Sequence, residues 1–229
     1  MKSKLWFAVR LILCVGLAAA ILAYGVHSLH LREPIDYASN LDLVAVTVDG
    51  TDLTLRDLYF YVLYEEKTVE SIAEVYDKDQ TRLFWNIHTN SSFVQEEAKD
   101  NVMGMAVHDW IMYQKAVEEH LVLSSEEKEK LESRRTDFWA DLYDVQHDTM
   151  PVAYEDVNRT MMQVALAQKA QAKLAQAADG ASFAGYNWDG EDYKHELSSH
   201  SVQINKKVWN RIIIGNVSLR HDTLITIDK

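Results

Sequence analysis

The side chains able to do chemistry are few and poorly spaced for it. His195 and His200 bracket Glu196 in HELSSH, which looks at a glance like a zinc-protease motif. That motif needs its histidines four apart on one helical face, and these are five apart. Asn187, Asp189 and Glu191 flank Gly190, but an EF-hand loop puts its glycine at the sixth position with a distal glutamate, and this register fails. The paired acids Glu65-Glu66, Glu96-Glu97, Glu118-Glu119 and Glu126-Glu127 read as solvated helix faces, because only burial would tune a carboxylate for acid–base work. There is no nucleophile elbow, no P-loop and no dinucleotide fingerprint. A single cysteine, Cys14, excludes an intramolecular disulfide and a cysteine-built zinc site. The expectation is therefore no catalytic residue, no metal ligand and no cofactor.

What remains is aromatic. Six Trp and eleven Tyr are many for a chain with so little enzyme chemistry. Such rings bury large area at small rotamer cost and keep a polar handle, which suits contact with varied partners. Tyr61, Tyr64, Trp110, Tyr113 and Trp139 are the candidate peptide-binding residues, expected to line a cleft for extended apolar segments of unfolded polypeptides.

The charge narrows the partners further. The net charge is −12 over 229 residues, and the first 32 contain Lys2, Lys4, Arg10 and Arg32 but no acid. Removing those four from the 23 cations leaves 19 against 35 acids in the body, a net of −16. So acidic a body has no footprint for nucleic acid. It would favour basic clients and stay soluble.

The elements that must position these residues are mostly helices. Val44, Val46 and Val48 alternate as in a strand, and Asp49-Gly50 is a tight-turn signal. Thr54 or Asp52 caps a helix over 55–76. A short helix spans 79–87, and Ser92 or Ser91 caps a long one over 93–119, with an apolar stripe through Met103, Ala106, Trp110, Tyr113 and Val117. Ser124 and Glu127 have capping-box spacing for a helix running to about 145. The Ala-rich stretch 153–178 is the strongest helix of all. Beyond it GASFAGYNWDGEDY reads as a loop, SVQI as a strand, and NKKVWNRIIIG as a short helix closed by Gly215. The alternation in LITID, residues 224–228, predicts a strand lying beside VAVTV.

The N-terminus reads as an address. Basic residues precede an uninterrupted apolar run over 11–26, the layout of a signal sequence or a short membrane anchor. The positive-inside rule leaves the body outside the cytoplasm. A body without thiols fits an oxidising space.

Three stretches resemble the SurA/PrsA type of exported chaperone. They are the valine-rich strand followed by Val48-Asp49-Gly50, two residues, Leu53 and Thr54; KAVEEHLVLSSEEKEKLE over 115–132; and INKKVWNRIIIGNVSL over 204–219. The resemblance implies a mostly α, SurA N-terminal-like domain with a small β-sheet joining its N- and C-terminal segments, preceded by one transmembrane or signal helix. The organisation expected is an address over 1–32, a linker over 33–42, a helical chaperone-like domain over 43–178 and a C-terminal segment over 179–229 that returns to the sheet. The family's prolyl isomerase domain is not recognisable, although ADGASF and IIIGNVS resemble remnants of one. The function implied is extracytoplasmic, ATP-independent holding of unfolded or newly exported chains. The alternatives are a prolyl isomerase with a reduced domain, or a dedicated assembly partner of a membrane complex.

Overall fold

The computed structural model describes residues 33–89, 92–178 and 180–221. Within them the fold is mostly helical, with one three-stranded antiparallel sheet. Strand β1 (Val44–Val48) turns through Asp49 and Gly50 into β2 (Thr51–Thr54). Both turn residues have positive φ, 49° and 82°, as the tight hairpin requires. β1 is central. It pairs with β2 in the register Val46↔Leu53 and Val48↔Thr51, and on its other edge with β3 (Val202–Ile204) through Val46↔Ile204 and Val48↔Val202. The C-terminal partner of β1 is thus the VQI segment. The strand expected at 224–228, like the helix expected before residue 33, lies outside the described residues.

Helix α1 (Leu55–Asp77) starts directly from β2 with a capping box between Thr54 and Asp57. Its Leu55, Leu58, Tyr59, Val62 and Leu63 are buried at three- and four-residue steps. A short α2 (Thr81–Trp85) folds back on it and buries Trp85. Helix α3 (Val94–Glu118) packs on α1 with Val102, Ala106, Ile111 and Met112 inward. Its N-cap is Phe93 and not Ser92, because the Ser92 carbonyl accepts from the amide and hydroxyl of Thr89 in a turn.

Helix α4 (Ser125–Asp141) begins on the Ser124–Glu127 capping box. It stops four residues short of 145, since Leu142 turns extended and drives its side chain into the core. A short α5 (Asp144–Thr149) follows. Helix α6 (Tyr154–Ala177) lies mainly against α3, and small buried residues, Ala167 and Ala170, allow the approach. A 3-10 turn (Ala184–Tyr186) and α7 (Glu191–Leu197) lead to β3, and α8 covers only Lys206–Trp209. Gly215, φ 99°, does not close that helix; it bends the buried Ile212–Ile214 segment into a loop.

Residues 33–42 do not behave as a linker. Tyr37 and Leu41 are buried, the Tyr37 hydroxyl donates to the Leu55 carbonyl at 2.5 Å, and the Ile35 amide to that of Arg211 at 2.9 Å. Among the described residues no helix is long and apolar enough to cross a membrane.

The acids of α1 overturn the solvated-face expectation at Glu65-Glu66. Both are buried, as is Glu70. Glu66 receives the backbone amides of Gly215 at 2.6 Å, Val217 at 3.0 Å and Ser218 at 2.7 Å, together with the Ser218 hydroxyl. Gln146 adds a donor to the Ser218 Oγ at 3.0 Å. Burial pushes the Glu66 carboxyl up, and these donors oppose it. Its role is to hold the C-terminal loop.

Candidate functional site

A cleft of about 710 Å³ opens between α1, α4 and α6, floored by α3 and closed at one end by the 183–188 segment. Each wall follows from a local rule. On α1, positions 60, 61 and 64 turn Phe60, Tyr61 and Tyr64 towards it, while positions 58, 59 and 62 face the sheet and core. On α4, Leu131 and Phe138 are two turns apart on one face. Met161, Val164 and Ala165 come from α6, and Met105 rises from α3.

The rings form a connected set. Phe60 meets Tyr61 at 5.1 Å and Phe138 at 5.2 Å, and reaches Tyr64 at 6.5 Å between centroids. Tyr64 is 47% exposed, so its ring is offered to solvent. Two methionines among aromatics make an adaptable apolar wall. The rim is charged: Lys67 lies 3.8 Å from Asp141, and Arg134 donates to Gln168 at 2.6 Å.

The far end holds a polar cluster. Tyr61 lies beside Asp109, and burial, then that carboxylate, pushes its phenol well above the usual range. Asp109 bonds His108 Nδ1 at 2.8 Å, while His108 Nε2 reaches the Tyr186 carbonyl at 2.8 Å. Gln171, buried on α6, donates to the Phe183 carbonyl at 2.8 Å and to Asn187 Oδ1 at 2.9 Å. Trp188 packs closely against α3 at Gly104, where a Cβ would sit 2.6 Å from the ring. The acidic NWDG stretch is therefore a docked wall of the cleft and not a free loop.

The five expected residues separate into three places. Tyr61 and Tyr64 line the cleft. Trp110 and Tyr113, 5.8 Å apart, flank a narrow crevice of about 40 Å³ on the other side of Tyr61. Trp139 belongs to a packing knot: its indole N–H donates to Asn158 at 3.0 Å and its ring lies 4.4 Å from Tyr154. Sequence reading missed Phe60, Met105, Phe138, Phe183 and Trp188. One signal was available for Trp188. A glycine inside a long helix costs about 1 kcal/mol against alanine, so Gly104 marks a close approach.

The two histidines of HELSSH point apart. His195 is exposed, and His200 bonds Asp49 at 2.6 Å and Glu196 at 3.2 Å. Among the described residues no group of acids, histidines and cysteines could hold a metal ion. Comparison with protein-family models, with curated proteins and with solved structures finds no match to this chain.

Proposed function

We propose that this chain is an extracytoplasmic, ATP-independent holding chaperone, tethered or exported through its N-terminal apolar segment. Clients are unfolded or newly exported polypeptides, bound through short apolar and aromatic stretches in the cleft. The observation that carries this reading is the cleft itself. It is an open, ring-lined space of about 710 Å³ with Tyr64 exposed at its mouth and two methionines in its walls. Tyr64 and Phe183 offer exposed rings to this space, and a concave, mostly apolar cleft suits binding of an apolar segment. The acidic body would keep a client-loaded complex soluble. The polar groups at the cleft end are bonded to one another, so the reading assigns them no bond-making step.

The test is aggregation of a chemically unfolded client, followed by light scattering with the full chain added, against an inert protein of equal charge. Suppression near stoichiometric amounts is expected. No suppression at several-fold excess overturns the proposal.

A further inference from the structure

His108 stands between two acceptors. Its Nδ1 faces the Asp109 carboxylate and its Nε2 faces the Tyr186 carbonyl, each at 2.8 Å. A carbonyl and an ionised carboxylate have no proton to give, so both bonds exist together only while both ring nitrogens are protonated. A neutral ring has one proton. The bond to the carboxylate is the stronger, so it keeps that proton, and the Tyr186 carbonyl is left facing a lone pair.

That carbonyl belongs to the 183–188 wall of the cleft. The wall is held by Gln171 on Phe183 and Asn187, by Trp188 on Gly104, by the Asp192 carboxylate packed against Gly185, and by His108 on Tyr186. Of the side-chain hydrogen bonds from Gln171 and His108, only that of His108 depends on a proton. The groups facing His108 are Asp109 on its own helix, Tyr61 from α1, whose buried phenol is held in its neutral form by burial and by Asp109, and Tyr193 from α7, whose ring meets the imidazole edge-on at 4.7 Å. Glu196, one turn along α7 from Tyr193, is taken by Lys115 at 2.6 Å and by His200.

We infer that His108 is a proton-dependent latch on the cleft: as imidazolium it holds the 183–188 wall against α3, and as neutral imidazole it releases that wall and widens the cleft. This rests on the cleft being the client site, but the latch is observable without any client.

The experiment is amide hydrogen exchange on the full chain at about pH 5.5 and about pH 8, either side of the range in which histidine changes charge, corrected for intrinsic rates. The reporters are the Tyr186 and Asn187 amides, which donate to the Phe183 and Ala184 carbonyls within the wall, and the flanking Gly185 and Gly190 amides, bonded to Ser182 and Asn187. Their protection is expected to fall about tenfold or more at the higher pH, the size of one charge-assisted hydrogen bond. His108→Gln removes the pH step. Asp109→Asn removes it differently, because the single ring proton then goes to Tyr186 and the wall stays protected at both pH values. Unchanged protection in the wild type, a change shared equally by the α1 amides, or a full pH step in either variant overturns the latch. Where the wall responds but no client binds at either pH, the chaperone reading fails and the latch stands. Where clients bind and the wall does not respond, the reverse holds.

Discussion

Glu66 and Ser218, 152 positions apart, meet in the interior: the Ser218 amide donates to Glu66 Oε2 at 2.7 Å. With Gly215 and Val217 donating to the other oxygen, one buried carboxylate replaces the partners that a loop would otherwise find in water. Glu66→Gln turns an amide N–H₂ towards backbone donors. It is expected to cost about 1–3 kcal/mol, read as a lower urea midpoint at unchanged m-value. Ser218→Ala removes the hydroxyl alone and is expected to cost less.

The cleft and the packing knot separate by mutation. Tyr64 is exposed and Trp139 is spent on Asn158 and Tyr154. Tyr64→Ala is expected to change stability by less than about 0.5 kcal/mol and to weaken client holding. Trp139→Ala is expected to destabilise by about 3 kcal/mol or more and, below its melting temperature, to hold clients normally. Denaturant titration and light scattering on the same samples check both.

Gly104 is a gauge of the wall. Gly104→Leu drives a side chain into the Trp188 ring and displaces the 183–188 segment. The expected result is a red-shifted tryptophan emission, absent in Gly104→Leu combined with Trp188→Phe, and altered client holding with helix content intact by circular dichroism.

Acid behaviour follows from Glu70. Burial raises its pKa, but hydrogen bonds from His221, Thr81 and Trp85 prevail and hold it below the ordinary value. A carboxyl depressed in the folded state gives stability that is present above its unfolded pKa and lost as pH falls through the folded one. Glu65 has the opposite sign: burial raises it against the Asn101 bond, so its contribution is greatest in acid and is lost as pH rises through its folded pKa. Below about pH 4.5 Glu70→Gln should flatten the fall in melting temperature, and above it Glu65→Gln should flatten the decline. Thermal melts across the acid range check the two slopes.

The helices were legible because their signals are local. Thr54, Asp57, Ser124 and Glu127 announce capping boxes within four residues, and the Ala-rich run of α6 needs no partner to be read. The tight turn at Asp49-Gly50 is equally local. Pairings across the chain were less legible. Val202–Ile204 was visible as a strand but not as the neighbour of β1, since three residues carry too little alternation to fix a register. Glu65 and Glu66 read as solvent-facing because their partners, Asn101 and the 215–218 loop, are 36 and about 150 residues away. The same distance hid the cleft. Tyr61 and Tyr64 were found by their type, whereas Phe138 and Trp188 reach it only through the packing of α4 and the wall.

The central position of β1 has a consequence for how the chain is made. Its first partner, β2, pairs with it across ten residues or fewer, but its second arrives after about 150 more, and the Glu66 seat fills later still. A nascent chain can close the hairpin and wind α1 early, yet must keep one strand edge and one carboxylate hydrated until the distant segment is synthesised. Such long loop closures slow folding. A chain stalled before that segment would present an open strand edge, the feature through which half-built proteins aggregate.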